Sequence, residues 1–195
     1  VPRPETEELV GAVWGKLTPA EGRLDLLDVG TGSGNIAVSL AVERAGWHVT
    51  ATDLSGEALL YAKRNTVRNG VSDRVHLAQT DLGLGLRNHQ FDAIVSNPPY
   101  LTGAELADLQ PEIVFEPRLA IDGGRDGLNL SRRLIGQARF LLKPGGSIFL
   151  EVGHAQAASV SGLLQASGFG SIRVSKDFSG IDRMVSARLM GGAGH

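Results

Sequence analysis

The sequence predicts an α/β fold with a mostly parallel seven-stranded sheet, an antiparallel last strand and helices on both faces. Short apolar segments alternate with segments of helical spacing, and this alternation is typical of a parallel sheet covered by helices. The last two apolar segments are joined by the short connection Asp177-Phe178-Ser179-Gly180, which favours an antiparallel pair at the end of the sheet. The 195 residues, 42% of them apolar, suit one domain over residues 1–190 with a loose tail at 191–195.

The elements follow from local signals along the chain. Pro4 is tolerated in a first helical turn, and the acids after it complement the helix dipole. Ser55 is a helix cap, and Asn69-Gly70 ends the same helix. Two prolines and a glycine cluster make residues 101–127 a long loop of the functional or mobile kind. The predicted strands are 24–29, 48–53, 74–78, 91–96, 147–152, 171–176 and 184–190, the later helices are 35–45, 55–69, 128–142 and 154–167, and residues 143–146 form a turn.

Composition excludes several classes of function. The formal charge of -2 shows no basic excess of the kind that advertises a nucleic-acid binder, although it argues only weakly against one. With Cys 0 there is no disulfide, cysteine zinc site or thiol nucleophile, and the 5 histidines do not cluster, so we expect no metal. No apolar run approaches the ~20 residues of a membrane span. We therefore expect a cytoplasmic protein with no membrane partner, and residues upstream of Val1.

Asn97-Pro98-Pro99-Tyr100, the proline loop, follows a predicted strand and cannot continue it. Neither proline can donate to a sheet ladder, and the residue before a proline is held in an extended conformation. The Asn97 side-chain oxygen and a main-chain carbonyl can therefore accept two hydrogen bonds from a planar –NH2 group, while the Tyr100 ring covers its flat face. The alternative is a plain Asn-Pro turn with a core tyrosine, which is less typical of the full four-residue string.

Gly30-Thr31-Gly32-Ser33-Gly34, the glycine loop, joins a predicted strand to a helix. Glycines at such a turn let the backbone approach a ligand at a helix amino terminus, which indicates a nucleotide-like ligand. The dinucleotide fingerprint would need glycine at position 35, where this chain has Asn35. Asp28 would repel a pyrophosphate but suits a ligand with a positive charge, such as the sulfonium and ammonium groups of S-adenosylmethionine.

Two acids follow the next predicted strands. Asp53 is placed to accept hydrogen bonds from ribose hydroxyls, as acids at this position do in doubly wound folds. Asp81 can reach the adenine amino group, with Leu82 against the ring. The alternative for both acids is a helix-capping or turn role.

Together these motifs resemble a class I S-adenosylmethionine-dependent methyltransferase that acts on a planar nitrogen, with a Rossmann-like fold. More narrowly, the chain resembles the HemK/PrmC family of protein N5-glutamine methyltransferases over nearly its whole length. The segments that carry this resemblance are Asp28-Val29 with the glycine loop, the proline loop, Pro2-Arg3-Pro4-Glu5-Thr6-Glu7, Phe115-Glu116-Pro117, Gly123-Gly124-Arg125-Asp126-Gly127-Leu128, Leu150-Glu151-Val152-Gly153-His154-Ala155-Gln156 and Asp177-Phe178-Ser179-Gly180-Ile181-Asp182-Arg183.

The resemblance implies that the chain methylates the glutamine of the Gly-Gly-Gln motif in class 1 peptide chain release factors, its protein partner, and leaves S-adenosylhomocysteine as product. Two departures stand out. Members of this family usually carry an amino-terminal helical domain that helps to dock the release factor, and we expect it to be absent from this chain. Many carry a bulky aromatic residue where this chain has Leu82, which affects only the adenine pocket.

Several further residues are candidates with equally good structural alternatives. Arg3 and Thr6 are candidates for the same cleft, and Glu116 for ordering the long loop, but each also suits a salt bridge or a cap. His154 near Glu151 invites an acid–base role, although an ordinary residue at a helix start is the better interpretation because the chemistry needs no base. We assign no role to Arg183.

Two alternative functions remain at this point. One is an adenine N6 or guanine N2 methyltransferase of nucleic acids, whose planar amino group could be bound by the same proline loop. Its basic face could be formed by Lys63, Arg64, Arg68 and Arg74, and the alternative for these residues is that they are ordinary solvated helix charges. We do not expect nucleic acid as the direct substrate. The other alternative is a cofactor-binding module without activity, against which the intact proline loop argues.

Overall fold

The computed structural model describes residues 4–17, 22–107 and 121–191. Within these ranges the chain forms six helices and seven strands. The strands are β1 (Leu24–Val29), β2 (Trp47–Asp53), β3 (Val75–Gln79), β4 (Phe91–Ser96), β5 (Leu142–Glu151), β6 (Phe169–Lys176) and β7 (Asp182–Leu189), and the helices are α1 (Pro4–Lys16), α2 (Asn35–Glu43), α3 (Gly56–Arg68), α4 (Gly103–Ala107), α5 (Asn129–Leu141) and α6 (Ala157–Ala166).

All seven strands belong to one sheet with the order β3-β2-β1-β4-β5-β7-β6. The neighbours from β3 to β5 pair in parallel, whereas β7 is antiparallel to both β5 and β6. The predicted mostly parallel seven-stranded sheet with an antiparallel last strand is therefore confirmed. Because β1 and β4 are parallel neighbours at the centre, the loops that follow them leave the same edge of the sheet.

Apolar residues cover both faces of the sheet because successive side chains of a buried strand point to opposite sides. In β1, Leu27 belongs to a core cluster that includes α5 and α6, whereas Leu26 belongs to a second cluster that includes α1 and α2. In β5, Ile148 and Phe149 divide in the same way. The alternation places one helical layer on each face, as predicted.

The structure corrects three local predictions. Residues 143–146, predicted as a turn, belong to β5, where four residues lie between Leu142 and Ser147 while only one lies between their partners Phe91 and Ala93. The extra residues form a bulge that lets the strand start earlier than its glycines indicated. The last long helix begins at Ala157, because residues 153–156 form a separate turn, and the predicted loop at 101–127 contains α4.

Some predictions fall on residues outside the described ranges. These are Arg3, Glu116 and the tail after residue 191. The backbone of Thr6 lies in α1, and its side chain is not described. Among the described helices, none combines the length and the apolar composition that a membrane crossing requires.

Candidate active site

The glycine loop and the proline loop start side by side at the carboxyl edge of the sheet. Asp28 pairs with Val95 and Val29 with Ser96 in the β1–β4 register, so both strands end at the same level. The Ser96 hydroxyl donates a hydrogen bond of 2.7 Å to the Val29 carbonyl and ties the two strand ends together. Ligands of open α/β sheets bind at this kind of edge, where neighbouring loops diverge.

The glycine loop has a backbone that only glycine adopts easily. Gly30, Gly32 and Gly34 have φ angles of 70°, 56° and 84°. The amides of Gly30 and Thr31 both donate to the Thr52 carbonyl of β2, at 2.8 Å and 2.9 Å. The loop therefore turns sharply against β2 and delivers the chain to the amino terminus of α2.

Asp28 lies beneath the loop, with no exposed surface. Its Oδ2 accepts hydrogen bonds from the Thr31 hydroxyl at 2.5 Å and from the Ala37 amide at 3.1 Å. Burial raises the pKa of Asp28 to about 7, against the opposing effect of these two donors, and the nearby Asp53 carboxylate raises it further. Through these two hydrogen bonds, Asp28 fixes the glycine loop to the first turn of α2.

Asp53, at the end of β2, links the glycine loop to the next helix. Its Oδ2 accepts from the Gly32 amide and its Oδ1 from the Ser55 amide, each at 2.8 Å. A carboxylate oxygen has a second lone pair, so both oxygens can still accept hydrogen bonds from ribose hydroxyls. The predicted capping role of Ser55 is also confirmed, because its hydroxyl accepts from the Ala58 amide at 3.2 Å.

Two features of the glycine loop are compatible with S-adenosylmethionine as its ligand. The buried Oδ1 of Asp28 has no hydrogen-bond partner among the described residues, and an unpaired carboxylate oxygen favours a positive charge close by. Side chains built on Gly30 or Gly32 would meet no atom within 4 Å, so open space lies over the loop. A cationic ligand with a ribose suits both features.

Asp81 and Leu82 lie on the loop after β3, which is attached to α5. Asp81 Oδ2 pairs with Arg133 Nη2 at 2.6 Å, and the Gly83 amide donates to Gln137 Oε1 at 3.0 Å. Leu82 is buried in the core cluster and has a left-handed backbone with φ of 58°. The structure thus gives Asp81 a protein partner and packs Leu82 into the core, and their contact with adenine stays a prediction.

The proline loop continues β4 with a half-buried Asn97 and a buried Pro98. Within residues 4–17, 22–107 and 121–191, the Asn97 side-chain amide has no hydrogen-bond partner, so its oxygen is available to a ligand. The end of the loop is fixed, since the Leu101 amide donates to the Ile121 carbonyl at 3.1 Å and the Leu101 carbonyl accepts from the Gly123 amide at 2.9 Å. The structure therefore presents a polar side chain at the edge that the glycine loop shares.

Sequence reasoning missed the residue that holds the other side of the proline loop. Gln156, in the turn before α6, donates from Nε2 to the Tyr100 carbonyl at 2.9 Å. Gly127 and Gly153 pack directly against the same pair of residues. The only signal in the sequence is that all three lie in segments that carried the family resemblance, without any local pattern that pairs them.

Arg183 and Arg74 have partners within the protein, whereas His154 lies at the surface. Arg183 Nε donates to Asp177 Oδ2 at 3.2 Å, and the pKa of Asp177 is lowered chiefly by the backbone hydrogen bond from Ile181. His154 is exposed. Arg74, proposed for a basic face, instead donates to the Ala41 and Arg44 carbonyls. In the described part of the chain, no group of three or more histidine, aspartate or glutamate side chains is arranged to hold a metal ion.

Comparisons with known proteins agree with this geometry. A family model described as Methyltransferase small domain matches residues 16–116. A release factor glutamine methyltransferase from Cereibacter sphaeroides is 44% identical over 189 residues, covering 96% of this chain and 66% of that protein. One from Moorella thermoacetica is 44% identical over 188 residues, with the same 96% and 66% coverage. The chain thus spans about two thirds of the length of the curated relatives it matches.

A solved structure extends the comparison to three dimensions. The protein-(glutamine-N5) methyltransferase (release factor-specific) from Alicyclobacillus acidocaldarius is 32% identical, and the match covers 97% of this chain and 94% of that chain with a TM-score of 0.60. The similarity in sequence and in structure therefore extends across the glycine loop, the proline loop and the elements that hold them.

Proposed function

Because this chain belongs to the methyltransferase small domain family and, within it, to the release factor glutamine methyltransferases, we propose that it transfers a methyl group from S-adenosylmethionine to the side-chain amide nitrogen (N5) of a protein glutamine. The proposed acceptor is the Gly-Gly-Gln glutamine of class 1 peptide chain release factors. The predicted class I S-adenosylmethionine-dependent methyltransferase fold is confirmed. A cytoplasmic location is part of the proposal, because translation factors are the proposed substrate.

The observation that supports this proposal most directly is the shared edge of the two loops. Asn97 follows Ser96, whose hydroxyl is bonded to the strand end that begins the glycine loop. A group held by the proline loop is therefore next to a ligand held by the glycine loop. Proximity and orientation of two reactants account for much of the rate enhancement in such a transfer.

The reaction requires residues that bind and orient the glutamine amide, because an amide nitrogen is a poor nucleophile, with its lone pair delocalised into the carbonyl. When bound, S-adenosylmethionine supplies a methyl group attached to a positively charged sulfur. Asn97 Oδ1 and the Pro98 carbonyl accept the two N–H groups of the glutamine, orient the nitrogen and favour the positive charge that develops on it. A new N–C bond replaces the S–C bond, the sulfur keeps the bonding electrons, and one amide proton leaves to solvent.

The acids on the cofactor side have separate tasks in this proposal. Asp53 accepts hydrogen bonds from the ribose hydroxyls while it holds the Gly32 amide. Asp28 favours a positive charge above the loop from its buried position. Asp81, with Leu82 beside it, contacts the adenine amino group, in competition with Arg133. Arg3, Thr6 and Glu116 remain candidates for the substrate cleft.

The alternative of a nucleic-acid amino-group methyltransferase is not favoured by the relatives. It also loses Arg74 from its basic face, since that side chain is used inside the fold. The alternative of a module without activity is not favoured either, because the relatives are named as methyltransferases.

The experiment that tests the proposal measures transfer of a labelled methyl group from S-adenosylmethionine to a purified class 1 release factor. A release factor with Gln→Ala in the Gly-Gly-Gln motif is the matched control, and duplex DNA and RNA are run in parallel. We expect label on the wild-type release factor alone. Label on nucleic acid, or cofactor binding without label on any acceptor, contradicts the proposal for this chain.

A further inference from the structure

The Gln156 side chain connects the turn after β5 to the proline loop. Its Oε1 accepts a hydrogen bond of 3.0 Å from the Gly153 amide, and its Nε2 donates one of 2.9 Å to the Tyr100 carbonyl. Both ends of the amide are therefore bonded to backbone, one in each segment. A glutamine that bridges two backbones in this way fixes their separation and their relative orientation.

Two glycines show how closely the surroundings fit this bridge. A Cβ atom on Gly127 would overlap Gln156 Nε2 and the Tyr100 carbonyl oxygen. A Cβ atom on Gly153 would lie 2.9 Å from Cδ2 of the Tyr100 ring and 3.0 Å from Gln156 Oε1. The Tyr100 carbonyl is thus bonded to the bridge, the Tyr100 ring packs over Gly153, and side chains larger than hydrogen do not fit at either glycine.

The turn that carries Gln156 also has an unfavourable backbone. Ala155 has a φ of 63°, a left-handed conformation that residues with a Cβ atom rarely adopt. Such conformations persist only where the surrounding contacts determine them, and they are common at functional sites. The two side-chain hydrogen bonds of Gln156, together with the hydrogen bond of 3.2 Å from its own amide to the Gly153 carbonyl, hold this turn.

The proline loop needs an external support of this kind. Pro98 and Pro99 have no N–H groups, so the loop cannot form the hydrogen bonds that usually fix a turn from within. Leu101 is held on one side by Ile121 and Gly123, and Gln156 supplies the hydrogen bond on the other side. The direction of the Tyr100 peptide group therefore depends on a side chain that follows β5.

We propose that Gln156 is a positioning residue for methyl transfer: it fixes the proline loop against the turn after β5, so that Asn97 and the Pro98 carbonyl are aimed at the glutamine amide and the Tyr100 ring covers it. This inference rests on the proposed function. Gln156 acts through Tyr100 and does not itself contact the reacting atoms.

The decisive variant is Gln156→Glu. It keeps the length of the side chain and the acceptor for the Gly153 amide but replaces the donor to the Tyr100 carbonyl by an oxygen, which repels that carbonyl. Gln156 lies at the amino end of α6, where a carboxylate is favoured by the helix dipole, so the variant should stay folded. Gln165→Glu, at an exposed position of the same helix, makes the same chemical change outside the site and serves as the control.

For Gln156→Glu we expect kcat for the release factor to fall by about 10- to 100-fold, because small misplacements of aligned groups cost this much. The dissociation constant for S-adenosylmethionine should stay within about twofold, since the glycine loop is untouched. Gln165→Glu should match the wild type in both quantities. A purely structural defect would instead weaken cofactor binding and transfer together.

Amide hydrogen exchange gives a readout that does not depend on activity. The peptide that covers residues 97–107 should exchange faster in Gln156→Glu than in the wild type and in Gln165→Glu, because the support of the proline loop is lost. Unchanged exchange in this peptide, or an unchanged kcat, overturns the positioning role. If the wild type methylates no acceptor, the proposed function fails, and the exchange rates alone then decide whether Gln156 supports the loop.

Discussion

The glycine loop and the proline loop leave the same edge of the sheet, but different contacts hold them. The glycine loop is bonded to β2 and to two acids, Asp28 near the end of β1 and Asp53 at the end of β2. The proline loop is bonded to segments far along the chain, at residues 121–123 and at Gln156. The comparison shows that the proposed cofactor side is organised by one βαβ unit, whereas the proposed acceptor side depends on packing between distant parts of the chain.

Variants of the proline loop should lower turnover, whereas variants of the glycine loop should weaken cofactor binding. The largest effect is expected on turnover, for a variant of the proline loop. Asn97→Ala removes the proposed acceptor for the glutamine N–H, so turnover should fall by about 10²- to 10³-fold while the dissociation constant for S-adenosylmethionine stays within about twofold. Initial rates of labelled methyl transfer and calorimetric titration measure the two quantities. Asn69→Ala, at the exposed carboxyl cap of α3, is the control. Near-normal turnover in Asn97→Ala would remove this residue from the mechanism.

Asp53→Ala tests the opposite side of the comparison. It removes the acceptors for the Gly32 and Ser55 amides as well as the predicted ribose contacts, so cofactor affinity should fall by about 10- to 100-fold. Asp73→Ala, whose side chain is 75% exposed, removes the same charge outside the site and should leave affinity unchanged. Equal affinities of the Asp53 and Asp73 variants, measured by titration calorimetry, would show that the glycine loop does not depend on this carboxylate.

Gly34→Ala tests whether the backbone of the glycine loop limits stability. Gly34 has a φ of 84°, and an added Cβ would lie 3.1 Å from Cβ of Ala62 in α3. The free energy of unfolding in urea should therefore fall by about 1–2 kcal/mol. Gly136→Ala lies at an exposed position inside α5 with no atom within 4 Å, and it should raise the same quantity by up to about 1 kcal/mol. Equal changes in the free energy of unfolding for Gly34→Ala and Gly136→Ala would mean that the left-handed backbone at Gly34 does not contribute to stability.

Asp28→Asn tests the buried charge through pH dependence. The unfolded Asp28 carboxyl ionises near its ordinary pKa of 3.8, whereas burial raises the pKa of the folded one to about 7. Between these values the folded state binds more protons, so the stability contributed by Asp28 is complete below the lower pKa and is lost as pH rises through the upper one. Relative to Asp28→Asn, wild-type unfolding free energy should fall by about 1 kcal/mol per pH unit in this window. Parallel pH profiles in urea titrations would contradict the buried protonated state.

The smallest effect on stability and on cofactor affinity is expected for the surface ion pair between Asp81, the predicted adenine contact, and Arg133. Arg133→Ala removes the partner of Asp81, and exposed pairs of this type contribute at most about 1 kcal/mol to the free energy of unfolding. Cofactor affinity should stay within about threefold, because Asp81 becomes free to bind the amino group. Arg132→Ala, which breaks the neighbouring pair with Asp126, is the matched control. A tenfold loss of affinity in Arg133→Ala alone would place Arg133 itself in the cofactor site.

Much of the fold could be predicted because its signals are local. Strand β4 begins and ends where the sequence predicted, and the cap at Ser55 starts α3 as expected. The bulge at residues 143–146 was missed because its glycines and proline are typical of turns, whereas the residues on either side of it, Leu142 and Ser147, pair with β4. The start of α6 was missed for a similar reason, since the Gln156 side chain that ties the turn at residues 153–156 also bonds the distant Tyr100 carbonyl.

The sequence by itself determined the βαβ alternation, the glycine loop and the rigid Asn97-Pro98-Pro99-Tyr100 segment, because each depends on the conformational limits of the residues that compose it. Only the tertiary structure decided that Asp28 is buried below the loop, that Asp81 pairs with Arg133, and that Gln156 holds Tyr100. The physical reason is that hydrogen bonds and burial depend on which distant segments meet. Which segments come into contact is determined by the order of strands in the sheet, and no local sequence pattern predicts that order.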